Sequence, residues 1–214
     1  MKKLILPLLI ASIGFVSCKK EEHKTDVIVE ENSVIADKNT SNEVKLDSAA
    51  MEKAYENYRT PSKAHKMLAK DTGIWDASMT FWMPDNPEPQ KAVSVAQYKM
   101  ILGGLYQEGT FTGDMWGMPF EGRGLTAFDN ATEEYIATWV DNFGTGVMIT
   151  RGKYEEANNR IVLFGNMVDP GTKKEKKVKE VLTYIDDNNQ KMEMFDVDEN
   201  GKETRTMEII SKRR

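Results

Sequence analysis

Gly73-Ile74-Trp75-Asp76-Ala77-Ser78-Met79-Thr80-Phe81-Trp82-Met83 is the stretch that decides the fold. Trp75, Ala77, Met79, Phe81 and Met83 alternate with the polar Asp76, Ser78 and Thr80, and Trp82 alone breaks the pattern. A period of two is the mark of a strand with one face on a core and the other in water. The segments downstream keep this texture, each rich in Val, Ile, Thr, Tyr, Trp or Phe and bounded by turn residues. Breaks fall at Pro84 to Pro89, Gly103-Gly104, Gly117, Asp129-Asn130, Asn142 to Gly144, Asn158-Asn159, Asp169-Pro170-Gly171, Asp186 to Asn189 and Asn200-Gly201. They delimit about ten strands, with no helical stretch between them to carry a parallel crossover. The expected fold is all-β with short N-terminal helices, an antiparallel meander closed into a roughly ten-stranded barrel, because closure removes both exposed edges.

Upstream, Ser48 is the expected cap of a helix through Asn57 that carries Met51, Ala54, Tyr55 and Tyr58 at helical spacing. Pro61, suited to a first helical position, opens a second helix to Ala69 with His65, Leu68 and Ala69 on one side. Both helices are expected to cap the barrel. From Lys19 to Ala49 there is no aromatic residue and charge dominates, which is the composition of a tether without a core. Residues 1–17 have a secretory pattern, with Lys2 and Lys3 before an apolar run too short to span a bilayer.

Phe15-Val16-Ser17-Cys18 at the end of that run resembles a lipobox. The resemblance implies that Cys18 becomes the lipid-bearing first residue of an outer-membrane lipoprotein, on the periplasmic or cell-surface side, with the membrane as its partner through the lipid. The expected organisation is signal peptide 1–17, lipidated cysteine and tether 18–49, and a helix-capped barrel 50–214. Cys18 is the sole cysteine, so lipidation would leave the domain no thiol chemistry and no disulfide. The chain carries 29 basic against 34 acidic residues, which argues against nucleic acid as a partner. The lysines Lys173, Lys174, Lys176, Lys177 and Lys179 are broken up by Glu175 and Glu180 beside the turn Asp169-Pro170-Gly171, so they read as a charged hairpin.

Gly73-Ile74-Trp75, just after a short helix, resembles the G-x-W signature of lipocalins and calycins, in which the Trp closes one barrel end against a basic residue of the last strand. The resemblance makes Arg213 the expected stacking partner of Trp75. Over nearly the whole domain the chain also resembles an uncharacterised bacterial family of unknown function. That likeness rests on His65-Lys66-Met67-Leu68, Gly73-Ile74-Trp75-Asp76, Met100 to Gly104, Gly117 to Gly122, Phe128-Asp129-Asn130, Thr138 to Asn142 and Gly144-Thr145-Gly146. It implies a fold and a location and no reaction.

Residues suited to catalysis are few. The histidines are His23 and His65, too few for a zinc or haem site, and nitrobindin-like barrels hold haem through a strand-region histidine where this chain has none after His65. No cofactor and no metal is expected. Asp196 to Gly201 opens like a calcium loop, but its twelfth position is Met207, and a hairpin turn is the better reading. Asp114, Glu121 and Asp141 could pair for acid–base chemistry only if the fold brought them together. Ten methionines in the strand region suit an adaptable interior, whether cavity or packed core. Tyr135, Ala137, Trp139 and Asp141 share a face, so Asp141 ends an apolar row and needs a partner or water. The leading expectation is a carrier of a small, largely apolar molecule, with Met79, Phe81, Tyr135, Trp139 and Asp141 as its ligand face. A solid barrel serving as an envelope scaffold is the alternative, and an enzyme the third.

Overall fold

The computed structural model describes residues 47–84 and 86–214. The leader, Cys18 and most of the tether lie outside them. Two helices, α1 (Ser48–Tyr58) and α2 (Lys63–Ala69), precede ten strands. These are β1 (Gly73–Phe81), β2 (Gln90–Ile101), β3 (Tyr106–Met115), β4 (Met118–Asp129), β5 (Glu134–Asp141), β6 (Met148–Glu155), β7 (Arg160–Val168), β8 (Glu175–Asp186), β9 (Asn189–Val197) and β10 (Glu203–Arg213). Each strand pairs with its chain neighbours, and β1 pairs with β10, so the antiparallel meander closes into a barrel with no free edge. Every one of the nine expected breaks is a connection between strands. Closure sets Trp75 directly opposite Arg213.

The helices differ from expectation in detail. Asp47, not Ser48, caps α1, its carboxylate accepting from the Ala50 N–H at 2.7 Å, so the helix begins inside the stretch expected as tether. The carboxylate is the stronger acceptor for an orphan helix N–H, which favours Asp47 over the adjacent hydroxyl. Pro61 stays outside α2, where Ser62 is the cap and its backbone N–H donates to His65 Nδ1 at 3.0 Å. His65 and Leu68 are buried as expected but Ala69 is exposed; Ala64 and Met67 take the remaining inward positions.

Only α2 caps the barrel. The apolar stripe of α1 stays in solvent, Tyr55 being 64% exposed, and α1 is tied to the domain where Asn130 in the β4–β5 turn donates to the carbonyls of Asn57, Tyr58 and Thr60. Met83 is exposed as well, because the chain leaves the sheet after Phe81. Trp82 faces outward, where the Arg205 guanidinium stacks on it at 4.2 Å. Among the described residues no helix is long and apolar enough to cross a membrane.

Candidate functional site

The inward row of β1, Trp75, Ala77 and Met79, is buried, as its alternation requires. Inward side chains from all ten strands gather in two apolar clusters at different depths. One, under α2, is built on Leu68, Tyr135, Ile161 and Leu163. The other, toward the opposite end, is built on Ala77, Met79, Met115, Phe120 and Ile209, with Phe81, Phe111, Trp139, Met192 and Met207 packed against it.

The α2 end is packed by a polar network. Asp71, between α2 and β1, is buried, and its carboxylate accepts from the Gln107 amide at 3.0 Å and from the Gln190 amide, with the Tyr184 hydroxyl 3.5 Å away. Burial pushes the Asp71 carboxyl up to about 6, against the pull of these hydrogen bonds and of the Arg213 charge. Burial likewise raises the phenols of Tyr98 and Tyr184, and that of Tyr135 to about 12; the Asp71 charge adds to the first two. The Trp75 indole N–H donates to the Asp71 carbonyl at 2.8 Å.

Arg213 completes the closure. Its guanidinium stacks on Trp75 at 4.2 Å and donates to the carbonyls of Thr72 at 2.8 Å, Lys70 at 2.6 Å and Asp187 at 3.1 Å. One side chain thus ties the end of α2 to the last strand. A cleft of about 390 Å³ opens beside this network, lined by Met67, Asp71, Tyr154, Tyr184, Gln190 and Arg213 among others. A second, of about 320 Å³, lies between Glu134, Arg151, Lys153, Val162 and Phe164.

Among the described residues, the opposite end carries loops and no helix. Trp116, in the β3–β4 turn, meets Phe81 edge to face at 5.4 Å, and Phe143, in the β5–β6 loop, leans on Phe120 at 6.0 Å. They remain 43% and 44% exposed, and Met118 and Val147 are exposed on the same rim. Below the rim the indole of Trp139 lies flat on Gly122, where an added Cβ would sit 2.5 Å from the ring. The missing side chain makes room for the large Trp139 ring against the wall. The Trp139 indole N–H donates to the Asp141 carboxylate at 2.7 Å, and the same carboxylate accepts from the Phe143 N–H at 2.9 Å. Asp141 thereby fixes the ring and the rim loop together. Five more inward residues at middle depth, Ala137, Glu180, Leu182, Met192 and Met194, are half-buried like Trp139. These inward side chains keep some accessible surface.

The family signature described as a protein of unknown function, DUF1579, matches residues 60–213. The chain belongs to that family. Its fold is shared with a solved barrel protein. Rv2717c from M. tuberculosis aligns with a TM-score of 0.52 at 13% identity, over 72% of this chain and 99% of that one. A redesigned β-barrel aligns with a TM-score of 0.36 at 15% identity, over 69% of this chain and 94% of that one. No curated protein matches the sequence. DUF1579 supplies a fold label, so chemistry has to be argued from the residues.

Of the expected ligand face, Met79, Phe81 and Trp139 meet in one cluster, with Asp141 held to Trp139. Tyr135 does not join them. It lies four residues earlier on β5, about 13 Å away along the strand, in the cluster under α2 where it packs against Phe128 at 4.9 Å. A shared face is not a shared depth. Trp75 and Arg213 stack as the resemblance implied. Burial lowers the His65 imidazole, which packs edge to face on Phe128 at 5.9 Å. Among the described residues no group of three or more His, Asp or Glu side chains is placed to hold a metal, and Asp198, in the calcium-like stretch, is used by its own turn, accepting from the N–H groups of Asn200 and Lys202.

Three functional candidates were missed in the sequence, namely Asp71, Gln107 and Glu180. Asp71 stands in the polar link Lys70-Asp71-Thr72, which reads as connector. Glu180 sits in a lysine-rich strand, where its inward parity relative to Val178 was the available signal.

Proposed function

We propose that the barrel binds a small, largely apolar molecule in the space bordered by Phe111, Trp139, Met192 and Met194, entered from the end away from α2. The observation that carries this reading is the half-burial of those inward side chains beneath a rim of exposed aromatic and methionine residues, while Trp75, Asp71 and Arg213 pack the α2 end. Flat aromatic walls and adaptable thioethers suit apolar ligands of varied shape. The neutral dye N-phenyl-1-naphthylamine is expected to brighten on mixing with the purified domain. Trp139→Ala should weaken its binding about tenfold, roughly 1.4 kcal/mol, while Trp82→Ala, on the outer face, leaves it unchanged. A dye that stays dark, or equal binding by Trp139→Ala, overturns the reading.

The apolar leader ending at Cys18 supports a second part of the proposal, that the domain hangs from an envelope membrane by a lipid on that cysteine. Cells fed a fatty-acid analogue are expected to label the wild-type chain and not Cys18→Ala. Equal labelling of both would refute the anchor.

A further inference from the structure

Glu180 is the one carboxylate of β8 before the bulge at Tyr184/Asp186 that shares the inward parity of Val178, Leu182 and Tyr184. Its β-sheet neighbours are Leu163 on β7 and Met194 on β9, both apolar. Thr150, on β6, reaches it from two strands away. That contact depends on Gly165, which lies between them on β7, paired with Thr150 on one side and with Val178 on the other. A Cβ at Gly165 would sit 2.2 Å from the Ile149 carbonyl oxygen and 3.0 Å from the Thr150 methyl, so the bare glycine is what lets β6 and its threonine lie this close. Across that gap the Thr150 hydroxyl donates to Glu180 Oε2 at 2.7 Å.

Thr150 is almost fully buried and Glu180 is surrounded, and burial raises the Glu180 carboxyl from its ordinary value. Among the described residues nothing donates to its other oxygen, and the residue keeps accessible surface among half-buried Leu182, Met192 and Met194. No buried side-chain oxygen among the described residues lacks a partner, so this second oxygen keeps surface that water or a ligand's donor can reach. Lys176, the inward-parity cation nearer the rim, is paired with Asp196 at 2.9 Å. A carboxylate-tailed ligand would therefore meet Glu180 with a like charge and find Lys176 already engaged.

We infer that Glu180, positioned by Thr150 across Gly165, is the polar anchor of the barrel's ligand, and that the ligand is an apolar molecule whose inner end carries a hydrogen-bond donor, a hydroxyl or amine, and not an acid. This rests on the lumen reading above and names the ligand class of that site.

The test displaces bound N-phenyl-1-naphthylamine from the full domain with decanol, decylamine or decanoate, three molecules that share a chain and differ in the head. At about pH 8, decanol and decylamine are expected to displace the dye at concentrations about tenfold lower than decanoate, the size of effect that one hydrogen bond to a buried charged group produces. Glu180→Gln, which keeps the volume and the Thr150 partner while removing the charge, should shrink that ratio to about threefold or less. Decanoate displacing the dye as readily as decanol, or an unchanged ratio in Glu180→Gln, overturns the anchor. The wild-type ratio decides the matter by itself if the variant does not fold. A dye that never binds would instead remove the lumen reading, so the two failures are distinguishable.

Discussion

Trp75→Ala is expected to lower the stability of the domain by about 3–5 kcal/mol, the range for removing a large aromatic from a packed interior. Trp75 is 0% exposed, and its ring has three distinct jobs. One face takes the Arg213 guanidinium at 4.2 Å, its edge meets Tyr98 with ring centroids 6.5 Å apart, and its N–H satisfies the Asp71 carbonyl at 2.8 Å. Truncation would leave a cavity between α2 and the β1–β10 seam and remove the surface on which Arg213 lies. Since Arg213 links the carbonyls of Lys70, Thr72 and Asp187, loosening it loosens the cap as well. Urea denaturation followed by circular dichroism measures the loss. Trp75→Phe, which refills most of the volume but drops the indole N–H, should lose less than the alanine variant, and a loss under about 1 kcal/mol for the alanine variant would show that the barrel closes without this residue.

The second large effect is a pH dependence centred on Asp71. Its carboxyl has an ordinary value of 3.8 and is pushed up to about 6 in the fold, chiefly by burial. A folded-state value above the unfolded one means that the native state binds the proton more tightly. The contribution is therefore fully present below about pH 4 and lost as pH rises through about 6. Two pH units correspond to about 3 kcal/mol at most. Surface carboxylates such as Asp169 and Asp186 are shifted the other way by their turn hydrogen bonds and make stability rise over the acid range, so the wild-type curve alone mixes the two trends. The difference between wild type and Asp71→Asn isolates the buried group. From about pH 4 to about pH 7 the wild type should lose stability relative to the variant, by an amount approaching that 3 kcal/mol ceiling. A constant difference across that range would show that the Gln107 and Gln190 amides hold Asp71 ionised at no cost.

Much of the fold was legible because its signals are local. Alternation in Gly73 to Phe81 reports which side chains face inward within a few residues of chain, and the turns at Asp169-Pro170-Gly171 or Asn200-Gly201 end their strands through the conformational preferences of those residues themselves. The pairing of Trp75 with Arg213 was legible by resemblance, and the barrel's closure makes it real. Depth was not legible. Tyr135 and Trp139 have the same parity and similar chemistry, yet one packs under α2 and the other beneath the open rim.

Taken by itself, the sequence determined the strand count, the inward faces and the antiparallel order, since period and turn chemistry act between near neighbours in the chain, while the Trp75 closure was implied by resemblance. Only the tertiary structure decided which inward residues share a level. It joined Asp71 to Gln107 and Gln190 over separations of 36 and 119 residues, and Thr150 to Glu180 over 30. The physical reason is geometric. A period of two assigns a face and leaves position along the barrel axis open, and that position follows from strand register and closure, which no single segment contains.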